Sequence, residues 1–342
     1  MQTKWIKRGK FALLIAALII SYFAMDRLLS IKTAHGICQA RDMYAQPADT
    51  VDVVFLGSSH IHCDVNTALL WRDYGIAAYD YSAAEQPLWI TYYYLQEICR
   101  YQKPKLVVLD LYGPARFKDD YQYTWLTENL NGFRFSINKM NMLRASCEPA
   151  KFFEYFPSLV TYHMRYTEVS KEDWEYLFSS KNDRAAFKGF TPYFKKTPQI
   201  EPTLGDDHQG GLTNKSRDYL NKIIQYCDDN GIDLFLTVTP YITTYQDELV
   251  YNQVHDIANS YGIKFDSTNY SYSIMDIDFE NDFYDESHLN YYGSCKFTKY
   301  IADSIKNAYD IPDRRGQLEW ESWDRNVGWI NKEVTDAGWE IR

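Results

Sequence analysis

Paired cysteine spacing is the plainest thing missing from this 342-residue chain. Its six cysteines, Cys38, Cys63, Cys99, Cys147, Cys227 and Cys295, are widely dispersed. No C-x-x-C occurs and no zinc-finger spacing, which excludes zinc-knuckle and thioredoxin-type redox readings. Nothing fixes a disulfide pairing, so the six read as mostly buried thiols. Cys38 also lacks the small residues that a lipid-attachment site carries before it. Excess positive charge is missing too. The net charge is −10, and the first ten residues hold Lys4, Lys7, Arg8 and Lys10 with no acid, leaving −14 for the rest. An acidic body offers no basic stripe to a phosphate backbone, so nucleic acid is excluded as a partner. Internal repeats and low-complexity tracts are absent as well. No cofactor and no metal site is expected.

What is present is an ordinary folded composition, 46% hydrophobic and 24% charged, with an aromatic share raised to 17% by 30 Tyr and 9 Trp. Tyr and Trp favour surfaces that are half apolar and half wet, such as sugar clefts and membrane interfaces, and they also serve as core packing. The basic N-terminus is followed by "FALLIAALIISYFAM", Phe11 to Met25, fifteen residues without a charge. As a helix this run measures about 22 Å, short of a hydrocarbon core of about 30 Å. Trp5, Ile6, Leu28 and Leu29 extend it if the flanking charges reach the headgroups. No small-x-small cleavage site follows the run directly. An uncleaved single-pass anchor is therefore expected, with the N-terminus cytoplasmic and the body outside.

From about Thr50 apolar strands alternate with helical stretches: "VDVVFLG", "GIAAYDYS", "KLVVLDLYG", "DLFLTVTPY" and "IKFDST" as strands. A helix is expected between each pair. The last helix, "YYGSCKFTKYIADSIKNAY", carries Phe297, Ile301, Ile305 and Tyr309 at intervals of four. Such alternation predicts an α/β fold, a doubly wound parallel sheet between helical layers, three-layer and flavodoxin-like. Between residues 114 and 213 the alternation stops, and an aromatic, mainly helical insertion is expected as cap or substrate platform. The organisation reads as a basic stub and anchor (1–30), a linker (31–48) and an α/β domain (49–113 and 214–310). That insertion (114–213) and a Trp-rich extension (311–342) complete it.

The stretch "VDVVFLGSSHIHCDV" starts at Val51. A strand buried on both faces ends in Gly57, which permits a sharp turn and delivers Ser58 and Ser59 to the strand's carboxyl end. In open α/β sheets ligands bind at that edge. Either serine also suits a helix cap. Far along the chain, "NDFYDESHLNYYGS" sets Asp285 and His288 three residues apart, just before the last helix. Serine is a poor nucleophile until an imidazole takes its proton, and the imidazole needs a carboxylate to hold its tautomer. The order Ser, Asp, His supplies all three parts. His60 and His62 read as exposed loop histidines, with His60 also a candidate substrate contact. His163 reads as structural or cleft-facing. The α/β-hydrolase lipase arrangement is excluded, because G-x-S-x-G is incomplete and the acid and base lie too close together.

"FLGSSH" after the first strand and "DESHLNYYG" before the final helix resemble the SGNH/GDSL hydrolase superfamily. The Gly-Ser-Ser variant, the anchor and the mid-chain insertion are similar to its membrane-anchored cell-envelope members, the D-alanyl-teichoic-acid protein type and the polysaccharide O-acetyltransferases. The resemblance spans roughly 51–113 and 234–309. It implies Ser59 as nucleophile, His288 as general base and Asp285 as its orienting acid. It implies oxyanion donors at the Ser59 backbone, near Ser82 and near Gly113, with Tyr112 beside the substrate. The family's third-block asparagine is absent, and "YGP" stands in its place. The implied activity is an esterase or O-acyltransferase acting on a cell-envelope polysaccharide or teichoic acid, with a membrane-bound acyltransferase as partner. The competing expectation is a non-catalytic accessory protein that binds glycan or that partner.

Overall fold

The computed structural model describes residues 2–31, 36–118, 125–178, 183–205 and 207–342. The chain forms two compact units, one joining Met1–Thr33 to Cys147–Asp183 and the other joining Ala34–Ser146 to Arg184–Arg342.

The larger unit is α/β. Its five strands are β1 (Val53–Gly57), β2 (Ala78–Ser82), β3 (Leu106–Asp110), β4 (Asp233–Val238) and β5 (Lys264–Ser267). They lie in the order β2-β1-β3-β4-β5, and every neighbouring pair is parallel. Val53 lies level with both Ala78 and Leu106, so β1 is hydrogen-bonded on both sides. Both faces of β1 are covered as well. Val53 and Phe55 join a core that includes Ile61, Phe297, Ile301 and Ile305. Val54, Leu56, Val107 and Leu109 are also fully buried, and helix Leu88–Ile98 packs against β1 and β2. A strand enclosed in this way must read as a continuous apolar run, which is what "VVFL" is.

The helix expected last, Tyr291–Ala308, buries Phe297, Ile301 and Ile305, its stripe continues into half-buried Tyr309, and a further helix follows it. The C-terminal helix Glu321–Asp336 holds Trp323 fully buried, its indole N–H on the Ala78 carbonyl at 3.2 Å. Residues 31–48, expected as a linker, contain helix Ile37–Met43 with Ile37, Ala40 and Met43 buried. Pro87 caps helix Leu88–Ile98. The expected insertion does not stay together. Residues 147–183 belong to the smaller unit, and its flanks pack with the sheet.

In the smaller unit, helix Gln2–Leu29 is apolar over Lys7–Leu29, with mean hydropathy 1.9 and little burial. It is long and apolar enough to cross a membrane. Helices Ser158–Tyr162 and Lys171–Phe178 pack against it.

Gly57 is the tightest point at the end of β1. Its φ of 155° lies where L side chains rarely sit, and an added Cβ would come within 2.8 Å of the Asp110 Cβ. Gly57→Ala is therefore expected to destabilise the sheet unit by about 2 kcal/mol or more in denaturant unfolding. A stability equal to wild type would show that this approach is not constrained.

Candidate active site

The winding of the sheet reverses between β1 and β3, and ligands of open α/β sheets bind in the crevice outside that reversal. β1 delivers Gly57 there and β3 delivers Asp110. The chain then turns at Ser58 into a short helix, Ser59–Asp64, where the sequence reading had a loop. Ser58 holds the N-cap position, yet its buried hydroxyl makes no cap hydrogen bond. Ser59 opens the helix, and its Oγ lies 2.8 Å from His288 Nε2.

His288 sits on a tight reversal closed by a bridge between Phe283 and Leu289, with the Tyr284 N–H donating to the His288 carbonyl at 2.9 Å. Inside it, Asp285 Oδ1 accepts the N–H groups of Ser287 and His288, both at 2.8 Å. The same carboxylate meets His288 Nδ1 at 3.0 and 3.2 Å. An ionised carboxylate can only accept, so the proton of neutral His288 belongs on Nδ1, and Nε2 is left to accept from the Ser59 hydroxyl. Burial pushes the Asp285 carboxyl upward. The hydrogen bond and charge of His288, with the N–H groups of Ser287 and His288, outweigh that and hold it below its usual range.

Two sets of hydrogen bonds, one from a side chain and one between backbones, fix these loops together. Asp64, closing the Ser59 helix, accepts the Leu289 N–H at 3.0 Å, one residue from the imidazole. The extended segment Lys188–Thr197 supplies the second set. Asp80 donates to the Lys188 carbonyl, Thr191 to His62, Tyr291 to Tyr193 and Thr197 to Phe283, at 2.6–2.9 Å. This segment came from the expected insertion, and it stitches β2, the serine helix and the histidine reversal to one another.

The remaining expected residues are placed as follows. His60 and His62 are fully buried and not exposed in a loop, because they lie on the helix that packs over the sheet end. His60 Nδ1 pairs with Thr239 Oγ1 at 2.7 Å, and its ring stacks on Tyr112 at 3.8 Å. Burial, then the nearby His288, Arg116 and His62, holds His60 well below the usual imidazole range, so it is neutral. Tyr112 reaches Ser287 Oγ at 3.4 Å, beside His288. Its backbone N–H donates to Asp110 Oδ2. Ser82 is buried and its hydroxyl pairs with His62 Nδ1 at 2.9 Å. Gly113 lies buried in the short helix Tyr112–Arg116, against the Gln86 carbonyl. His163 belongs to the smaller unit, exposed, with Nδ1 on the Val160 carbonyl.

Sequence reasoning passed over Asp64, Asp110, Thr239 and Tyr193. A carboxylate ending a buried strand in "LVVLD" was visible, and so was Asp64 five positions after Ser59. Tyr193, edge-on to His288 at 5.7 Å, came from a segment with no pattern. Among the described residues no group of three or more His, Cys, Asp or Glu is arranged to hold a metal ion. Neither protein-family models nor curated proteins give a match to this chain.

Asp110 offers a test of the site's electrostatics. Burial pushes its carboxyl up to about 7, against the pull of N–H groups from Thr239, Tyr112 and Leu111. Unfolded, the group releases its proton near 3.8. Folding therefore takes up a proton between these values, and this contribution to stability falls as pH rises through that window. Asp110→Asn is expected to lose less stability than wild type between about pH 4 and 7 in denaturant titrations. An equal or steeper loss would place the ionised form of Asp110 in the native protein.

Proposed function

We propose that this chain is a membrane-anchored extracytoplasmic serine esterase or O-acyltransferase of the SGNH type, acting on acyl esters of a cell-envelope polysaccharide or teichoic acid. One observation carries the reading. A hydrogen-bonded line runs from Ser59 through His288 to Asp285 at the carboxyl edge of a parallel sheet. The strand order and the two sequence blocks support the SGNH assignment. The apolar first helix supports the anchor.

The chemistry follows from the geometry. Ser59 Oγ attacks the carbonyl carbon of the acyl ester while its proton passes to His288 Nε2, and Asp285 stabilises the imidazolium. The tetrahedral intermediate then collapses. The bond to the leaving alkoxide breaks, His288 returns the proton to that oxygen, and the acyl group stays on Ser59. A water or sugar hydroxyl next attacks the acyl-enzyme, giving its proton to His288, and Ser59 Oγ departs and recovers a proton. The Ser59 N–H, at the first position of a helix whose leading N–H groups have no intrahelical partner, is one donor for the oxyanion. Beside the base, Tyr193 stacks on Tyr284 at 4.2 Å, and the Lys195 ammonium lies 5.5 Å from the Tyr284 ring. Aromatic surface on the histidine side suits a sugar as leaving group or acceptor. A membrane-bound acyltransferase would supply the acyl group in the transfer direction.

A second reading, a non-catalytic accessory protein that binds glycan or a membrane partner, is favoured by one fact. At one candidate oxyanion position the Ser82 hydroxyl is already paired with His62 Nδ1. Losing one such donor costs on the order of a hundredfold in turnover.

The two readings separate on the full-length protein with a serine-reactive phosphonate and a small acetyl ester. We expect labelling of wild type, none of Ser59→Ala, and ester turnover lowered by about a thousandfold or more in His288→Ala. Circular dichroism would confirm that both variants fold. Labelling that persists in Ser59→Ala removes Ser59 from the role, and a wild type with neither labelling nor turnover favours the accessory reading.

A further inference from the structure

Along the first helix, burial changes abruptly. From Phe11 to Ser21 every side chain is exposed, whereas Tyr22, Ala24, Asp26 and Leu28 are partly buried and Leu29 is buried. Residues of the same unit provide the cover. Helices Ser158–Tyr162 and Lys171–Phe178 and the turn His163–Thr167 pack on this end. The Ser158 hydroxyl bonds the Asp26 carboxylate, and the Arg165 guanidinium meets the Leu29 carbonyl at 2.5 Å. The cover thus starts at Tyr22, about 10 Å along the axis before the helix ends at Leu29.

That depth is informative. The apolar stretch Lys7–Leu29 has 23 residues. As a helix it is about 34 Å long, against a hydrocarbon core of about 30 Å with headgroup layers outside it. A cover that descends about 10 Å along such a helix spans the headgroup boundary and the outer part of the hydrocarbon. Among its exposed charged groups, this cover also turns large apolar and aromatic side chains outward. Phe153 is 76% exposed, Tyr166 64%, Met164 62% and Trp174 50%. In water these side chains would lie open; at a bilayer surface, aromatic rings with one polar end find both of their preferred surroundings.

We infer that residues 147–178 form a collar lying in the outer headgroup layer, with Phe153, Met164, Tyr166 and Trp174 set among the lipids. The inference rests on the first helix spanning the membrane, and it is independent of any role for Ser59. The attraction is apolar and not ionic. Residues 147–178 carry six acids (Glu148, Glu154, Glu168, Glu172, Asp173 and Glu175) against three cations (Lys151, Arg165 and Lys171). Zwitterionic lipid is therefore sufficient, and added salt leaves the collar in place.

The test uses the full chain in phosphatidylcholine nanodiscs, with lipids brominated either near the headgroup end or near the tail end of the acyl chain. The fluorescence difference between wild type and Trp174→Phe isolates Trp174 among the nine tryptophans. We expect this signal to fall by about twofold or more with shallow bromine, less with deep bromine, and equally at low and high salt. Phe153→Ser combined with Met164→Ser, both at exposed positions, should weaken the shallow quenching without unfolding the protein. If the protein enters nanodiscs but its Trp174 signal is unquenched, the collar faces water or another protein and the inference fails. If the full chain does not enter nanodiscs, the spanning helix fails and the collar fails with it.

Discussion

The hydrogen bond between Ser59 Oγ and His288 Nε2 joins side chains 229 positions apart. Neither segment holds the other in place by itself. The serine end is fixed by β1, enclosed by strands on both sides and by apolar layers on both faces, so its carboxyl end has no freedom to wander. The histidine end is fixed by a reversal whose polar groups are satisfied internally, with Asp285 gathering two N–H groups and the imidazole. Between them run the Asp64 tie to Leu289 and the stitched segment Lys188–Thr197. A contact of this kind must be held to a fraction of an ångström, and this one is held by the Asp64 carboxylate and by backbone hydrogen bonds between neighbouring segments.

The same edge of the sheet collects groups that fit poorly in a protein interior. Asp64 and Asp80 are fully buried and pushed well above the usual carboxyl range, chiefly by burial. Both Asp80 carboxylate oxygens lack a hydrogen-bond partner among the described residues. Buried carboxyls of this kind cost stability, and they stand out against the apolar layers beneath them. Asp64 closes the Ser59 helix, and Asp80 lies on β2, which packs against that helix. His60, neutral and held between Thr239 and Tyr112, belongs to the same layer and adds no charge next to the His288 imidazole.

Much of this was legible in the sequence because period and enclosure leave marks there. All five strands fall within the stretches read as strands, four of them largely buried, and the stripe of Phe297, Ile301 and Ile305 faces the core as its spacing requires. Ser59, Asp285 and His288 were legible because their order fits one chemistry. What was illegible depended on non-local backbone bonding. Segment 188–197 forms no regular element, so no periodicity announces that it ties both loops. His60 and His62 look like loop residues until a six-residue helix turns them inward. The division of residues 114–213 between two units was hidden for a related reason. Contact with the first helix groups 147–183 apart from its neighbours in the chain, and polar, aromatic segments of this kind look alike on either side of that boundary.

Whether the juxtaposed hydroxyl, imidazole and carboxylate carry an acyl group is the question on which the account turns. The direct measurement is mass spectrometry of peptides from the full-length protein after incubation with candidate acyl donors and an acid quench. The account predicts an adduct of one acyl mass on the peptide containing Ser59, accumulating only while His288 is intact. An acyl adduct confined to another residue, or no adduct from any donor while the protein stays folded, would contradict it.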